Sequence, residues 1–187
     1  MKLIVGLGNY PIEYHETRHN AGFMVIDEFC LNHRLTLNQN KFNGWFIKTK
    51  IYNQDVIVAK PYTYMNLSGQ FVRDIMHFYQ IDISDLIVIS DDVDLLPGMM
   101  RIKPNGSSAG QKGIQNIIDL LGTNQFKRIR IGIGKPINKS QMVGHVTGEF
   151  TFEERQLIDP IIKKASCAID AFLKSDNINQ LMNQFNK

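Results

Sequence analysis

Cysteine is scarce in this sequence. Cys30 and Cys167 are the only two in 187 residues, and their separation suits neither a metal-ligand spacing nor a disulfide framework. Both are expected to be reduced thiols of the core. Long apolar runs are missing too. None approaches the roughly 18 residues that a membrane-spanning helix needs, so no membrane partner is expected. The opening MKLIVGLGN has too short an apolar stretch, and no cleavage-type tail, to resemble an export signal. The expected compartment is therefore the cytoplasm. Low-complexity tracts, repeats and linkers are also absent, which predicts a single domain over residues 1–187. No charge sign dominates: 21 Lys and Arg face 18 Asp and Glu, a net +3. That permits a polyanionic partner without requiring one. The 43% apolar and 21% charged fractions are ordinary for a globular chain long enough to bury a sizeable core.

What is present alternates between strand-like and helix-like segments, the pattern of an α/β protein. Leu3-Ile4-Val5 is a short apolar run closed by Gly6, as in a buried strand. After a polar loop, Asn20 is placed to cap a helix with apolar face Phe23, Ile26, Phe29 and Cys30. Trp45 to Tyr52 and Val56 to Val58 suggest a hairpin turning through Asn53-Gln54-Asp55. A second helix is expected along Leu67, Phe71, Ile75 and Phe78. Strands follow at Leu86–Ile89 and Met99–Lys103. A third helix over Ile114–Leu121 stops at Gly122. Arg128–Ile133 alternates charged and apolar residues, as a half-buried strand does. One or two helices come after Phe152. The expected architecture is a mixed β-sheet flanked by helices on both faces, with ligands at the carboxyl ends of its strands. The loops there, 8–19, 61–66, 90–97 and 104–112, hold most of the unusual polar residues.

Two motifs invite other chemistry. Gly6-Leu7-Gly8 begins a dinucleotide fingerprint, but Pro11 occupies its third glycine position and a loop follows instead of a helix. Gly106-Ser107-Ser108-Ala109-Gly110 matches the G-x-S-x-G nucleophile elbow, with Ser108 as nucleophile. Pro104 and Asn105 separate it from its strand, and only His145 lies downstream as a base. A flexible loop that brings backbone N–H groups to a ligand suits it better. The stronger candidate is His19, which shares a polar loop with Asn9 and Tyr14. Imidazole is suited to take a proton from water near neutral pH. Asp91, at a strand end, could orient it. Asn66 fits either a helix cap or an amide donor to a developing oxyanion. Tyr62, Tyr64 and Met65 fit either a ligand surface or the core.

The blocks VGLGN (5–9), TRHNAGF (17–23), KPYTYMNLSG (60–69), DDVDLLPG (91–98), GTNQFKRIRIGIG (122–134) and VGHVTGEF (143–150) together resemble bacterial peptidyl-tRNA hydrolases, in their order and over nearly the whole chain. The resemblance implies a peptidyl-tRNA hydrolase-like (phosphorylase/hydrolase-like) fold with no metal or cofactor. The implied activity is hydrolysis of the ester of peptidyl-tRNA by activated water, with no covalent intermediate. It implies His19 as catalytic base, Asp91 as its stabiliser and Asn9 as the residue that selects N-blocked substrates. Tyr14, Tyr64 and Asn66 match substrate contacts, with Met65 in the same groove. Lys103 and Arg130 match positions that hold the tRNA terminal phosphate, with Arg101, Lys127 and Arg128 as basic neighbours.

Two departures stand out. Asn9-Tyr10-Pro11 replaces the usual N-P-G, and Gly110-Gln111-Lys112-Gly113 replaces the usual G-H-N-G. Lys112 accepts no hydrogen bond, so it cannot copy the missing amide. It could meet a phosphate or a substrate carbonyl, or face solvent, while Gln111 could supply a displaced amide. The competing expectations are a non-catalytic RNA-binding relative and a Ser108 esterase. With no long apolar seam left over, a monomer is expected.

Overall fold

The computed structural model describes residues 1–187. Seven strands form one sheet: β1 (Lys2–Gly6), β2 (Gln39–Lys41), β3 (Gly44–Ile51), β4 (Gln54–Pro61), β5 (Leu86–Asp92), β6 (Met100–Lys103) and β7 (Lys127–Gly132). Their order is β2-β3-β4-β1-β5-β7-β6. The central β4, β1, β5 and β7 are parallel. The β2/β3, β3/β4 and β6/β7 pairs are antiparallel. The middles of β1, β4 and β5 are apolar because both sheet faces are covered there. Ile4, Val58, Ile87 and Ile89 point to one core, Leu3, Val5, Ile57 and Val88 to the other. The helices are α1 (Ala21–His33), α2 (Ser68–Tyr79), α3 (Lys112–Leu121), α4 (Met142–Thr147), α5 (Phe152–Ser175) and α6 (Ile178–Phe185). Side chains of α1, α5 and α6 fill the first core, those of α2 and α3 the second. Each fully buried Phe or Ile contributes roughly 1.5–3 kcal/mol. No helix is long and apolar enough to cross a membrane.

Helix α1 lies hard against the sheet at Gly22, where a Cβ would meet the Ile89 carbonyl oxygen at 2.4 Å. That contact brings the turn before α1 over the carboxyl ends of β1 and β5. At the far edge, the Asn186 amide takes the place of a neighbouring strand. It accepts the Ile102 N–H (2.7 Å) and donates to the Ile102 carbonyl (3.0 Å), which closes the edge of β6 to other chains.

Several expectations change. The hairpin turn is two residues, Tyr52 and Asn53, both at positive φ (50° and 62°), as a tight turn with mirror-image twist demands. Phe78 leaves the buried stripe of α2 and packs on Phe42 at 5.2 Å; Val72 and Met76 take its place. Asn20 precedes α1 but makes no capping bond, and Leu67, not Asn66, precedes α2. Cys167 is exposed. Cys30 is buried, and burial first, then the nearby Asp27 charge, push its thiol up to about 11 despite Lys60. Arg128 is buried instead of half-exposed. Strand β2 and helix α4 were not anticipated.

Candidate active site

The loops after β1, β4 and β5 meet over the carboxyl ends of the central strands, where a cavity of about 570 Å³ opens. Its lining includes Asn9, Tyr14, His19, Tyr64, Met65, Asn66, Asp91, Lys112 and Arg130. Lys103 lies outside it, exposed at the end of β6, as do Tyr62, Arg101 and Lys127.

His19 sits in a 3-10 turn, Arg18–Asn20, that runs straight into α1. Its Nδ1 is 2.9 Å from Asp91 Oδ2, with Asp91 2% exposed. Ionised aspartate only accepts hydrogen bonds, so Nδ1 carries the hydrogen in the neutral ring and Nε2 is left unprotonated. Asp91 is held in turn at Oδ1 by the Gln111 side-chain amide, 2.9 Å away. Asn9 is fixed on three sides. Its N–H and C=O bond the Asn20 amide (2.8 and 3.0 Å), and its Oδ1 accepts the Met65 N–H at 2.8 Å. Only the Nδ2 donors of Asn9 remain for the cavity. Asn20 is thus a brace for Asn9 instead of a helix cap. Asn66 is exposed in the 3-10 turn Met65–Leu67. Met65 is both core and wall, 3% exposed. Tyr14 and Tyr64 meet edge to face, 6.5 Å between centroids.

Ser108 Oγ donates to Gln115 Oε1 (2.7 Å) and accepts weakly from the Gly110 N–H (3.4 Å). Neither is a base, and His145 Nε2 is occupied by the Ile133 and Gly134 carbonyls (3.1 and 2.9 Å). The far wall is α4, through Met142, Val143, Val146 and Thr147. Arg18 ties that wall to the histidine turn. Its guanidinium donates to both Glu154 oxygens (3.1 and 2.6 Å) and to the His145 carbonyl (3.1 Å), and its N–H bonds the Gly148 carbonyl at 3.0 Å. Glu154 also accepts the Thr151 N–H, which closes the capping box of α5. Burial alone would raise the Glu154 carboxyl. The hydrogen bonds from Arg18 and Thr151 and the nearby positive charge outweigh it, and the net direction is downward.

On the basic side, the β6/β7 register sets Arg101 opposite Arg130 and Lys103 opposite Arg128. All four share the sheet face that α2 and α3 leave uncovered beyond β5. Lys127 points the other way, to the Ser84 carbonyl and Asp176. Arg130 pairs with Asp92. Arg128 is 4% exposed, yet donates only to the Ser107 carbonyl (2.7 Å), and its Nε has no partner. Burial, then the charge of Arg130, lower its pKa against the pull of Asp92.

Sequence reading missed Arg18, Asn20 and the α4 wall as parts of the site. Arg18 and Asn20 flank the histidine in the TRHN block, which was the one available signal.

The family model described as peptidyl-tRNA hydrolase matches residues 3–187. The peptidyl-tRNA hydrolase of Geobacillus kaustophilus is 47% identical over 187 residues, covering all of both chains. That of Bacillus subtilis is 45% identical over 186 residues, covering 100% of this chain and 98% of its own. The crystal structure of peptidyl-tRNA hydrolase from Acinetobacter baumannii superposes with a TM-score of 0.93 at 40% identity, covering 100% of this chain and 94% of the other. By sequence over its full length and by overall fold, the chain belongs to the peptidyl-tRNA hydrolase family.

Proposed function

We propose that this protein, as a single catalytic domain acting as a monomer in the cytoplasm, hydrolyses the ester between a peptide and the 3′ ribose oxygen of tRNA. The observation that carries the mechanism is the His19–Asp91 contact of 2.9 Å at the floor of the cavity. Nε2 of His19 takes a proton from water as the water oxygen attacks the ester carbonyl. Asp91 stabilises the imidazolium through Nδ1–H. The Asn66 amide donates to the oxyanion. The tetrahedral species collapses, the ribose oxygen leaves with the proton from His19, and the peptide leaves as its carboxylic acid, which gives its proton to solvent.

Asn9 supplies the selection. With Oδ1 committed to Met65, it offers the substrate donors only. The carbonyl of an N-acyl group accepts them. A free α-ammonium, itself only a donor, finds no acceptor there. Tyr14 and Tyr64 border the peptide side, and Arg130, Lys103 and the buried Arg128 face the RNA phosphates. Lys112, exposed at the first position of α3, sits where the helix dipole disfavours a cation, and a phosphate would relieve that.

The direct test is His19→Ala with N-acetyl-aminoacyl-tRNA. Turnover should fall about 10²-fold or more, the range of a general base, with the far-UV circular dichroism unchanged. Near-wild-type turnover would refute the assignment. Absence of acyl release by the native protein would favour RNA binding without catalysis, and a trapped acyl-enzyme would favour Ser108.

A further inference from the structure

The side chain of Gln111 joins the two halves of the site. It is the residue before α3, and its Oε1 accepts the Ile114 N–H at 2.8 Å. That backbone donor fixes which end of the amide is oxygen. Nε2 must therefore face Asp91, donating to Oδ1 at 2.9 Å, with Met65 Sδ 3.1 Å away. Met65 N–H reaches Asn9, Asn9 is braced by Asn20, and Asn20 follows His19 in the chain. The hydrogen bonds form a closed circuit beneath the cavity, with Gln111 bridging base and selector.

Helix capping alone does not account for a glutamine here. Short side chains, Ser, Thr, Asp and Asn, are the effective caps, and only a longer one also spans to Asp91. Asp91 is almost fully buried, and its side chain has two partners, His19 and Gln111. Without the amide, Oδ1 is a buried acceptor left unpaired and the carboxylate loses its fixed plane. The start of α3 has no slack to compensate. A Cβ on Gly113 would lie 2.6 Å from Met65 Sδ and 3.1 Å from Gln111 Oε1.

We infer that Gln111 is a positioning residue for the hydrolysis, holding the Asp91 carboxylate in the plane that aims His19 at water. This rests on His19 and Asp91 acting as the base pair. It predicts an effect on kcat that passes entirely through Asp91.

A double-mutant cycle tests it, using Gln111→Ser, Asp91→Asn and the double variant with N-acetyl-aminoacyl-tRNA. The serine hydroxyl keeps the cap on Ile114 but cannot reach Asp91. Gln111→Ser should lower kcat about tenfold with KM within about twofold, the scale of one lost charged hydrogen bond. In the Asp91→Asn background the same change should cost less than about twofold. Gln111→His, which again offers one donor and one acceptor, should recover most of kcat. Equal losses in both backgrounds, a loss confined to KM, or no loss would overturn the inference. If Asp91→Asn alone keeps full kcat, the base-pair assignment fails instead. Should the serine variant unfold, Gln111→Met decides by the same cycle, since it keeps the length and removes both polar contacts.

Discussion

Asn9 shows how one side chain acquires a direction. Free asparagine offers a donor and an acceptor equally, but here the backbone of Met65 occupies the acceptor. Asn9→Asp keeps the shape and turns the cavity end into a second acceptor. Hydrolysis of N-acetyl-aminoacyl-tRNA should fall about 10²-fold in kcat/KM, from a lost donor and an unpaired substrate carbonyl. The preference over free aminoacyl-tRNA should shrink with it, measured as the ratio of kcat/KM for the two substrates. An unchanged ratio would show that selection lies elsewhere. At this scale the sequence was partly legible. The motif blocks led to His19, Asp91 and Asn9 as neighbours, and the three do line one cavity. The Gln111 contact was not legible, because its meaning depends on where α3 lands. Asn20 was misread as a cap because a small polar residue before a helix usually is one.

Among the elements, strands were legible where both faces are covered, since apolar runs such as 3–5 and 86–89 have one stable environment. Strand β2, Gln-Asn-Lys, has no apolar pattern and exists only by pairing with β3. Helix α4 is six residues with no buried member, so it left no stripe to find. It is held by its ends, chiefly by Arg18, Glu154 and His145. Glu154→Gln should loosen this clamp by about 1 kcal/mol after solvent screening of the exposed end, or about 2–4 °C in Tm. The sign with pH is definite. The folded carboxyl titrates below its ordinary range, so its contribution is full above about pH 4.3. It disappears as pH falls through the lowered folded value. Thermal melts of wild type and variant should differ at pH 7 and converge in strong acid. A gap that persists or widens in acid would contradict the pairing.

Across the whole molecule, the proposed function divides the substrate between the cavity and the basic face. Lys103 lies outside the cavity on the face it shares with Arg101, Arg128 and Arg130. Lys103→Ala should therefore reduce kcat/KM for intact peptidyl-tRNA about tenfold at moderate salt and leave a short N-acyl-aminoacyl ester nearly untouched. The log–log salt slope for tRNA should flatten by about one unit. Equal losses on both substrates would contradict a phosphate role. The Arg18–Glu154 pair joins residues 136 positions apart, and such long closures form late because their entropy cost precedes their reward. The turn that carries His19 thus gets its last restraint when the final third of the chain docks. Enzymatic competence should then be the last thing a refolding chain acquires. In a stopped-flow experiment, Trp45 fluorescence should recover ahead of turnover, and simultaneous recovery would place that docking earlier.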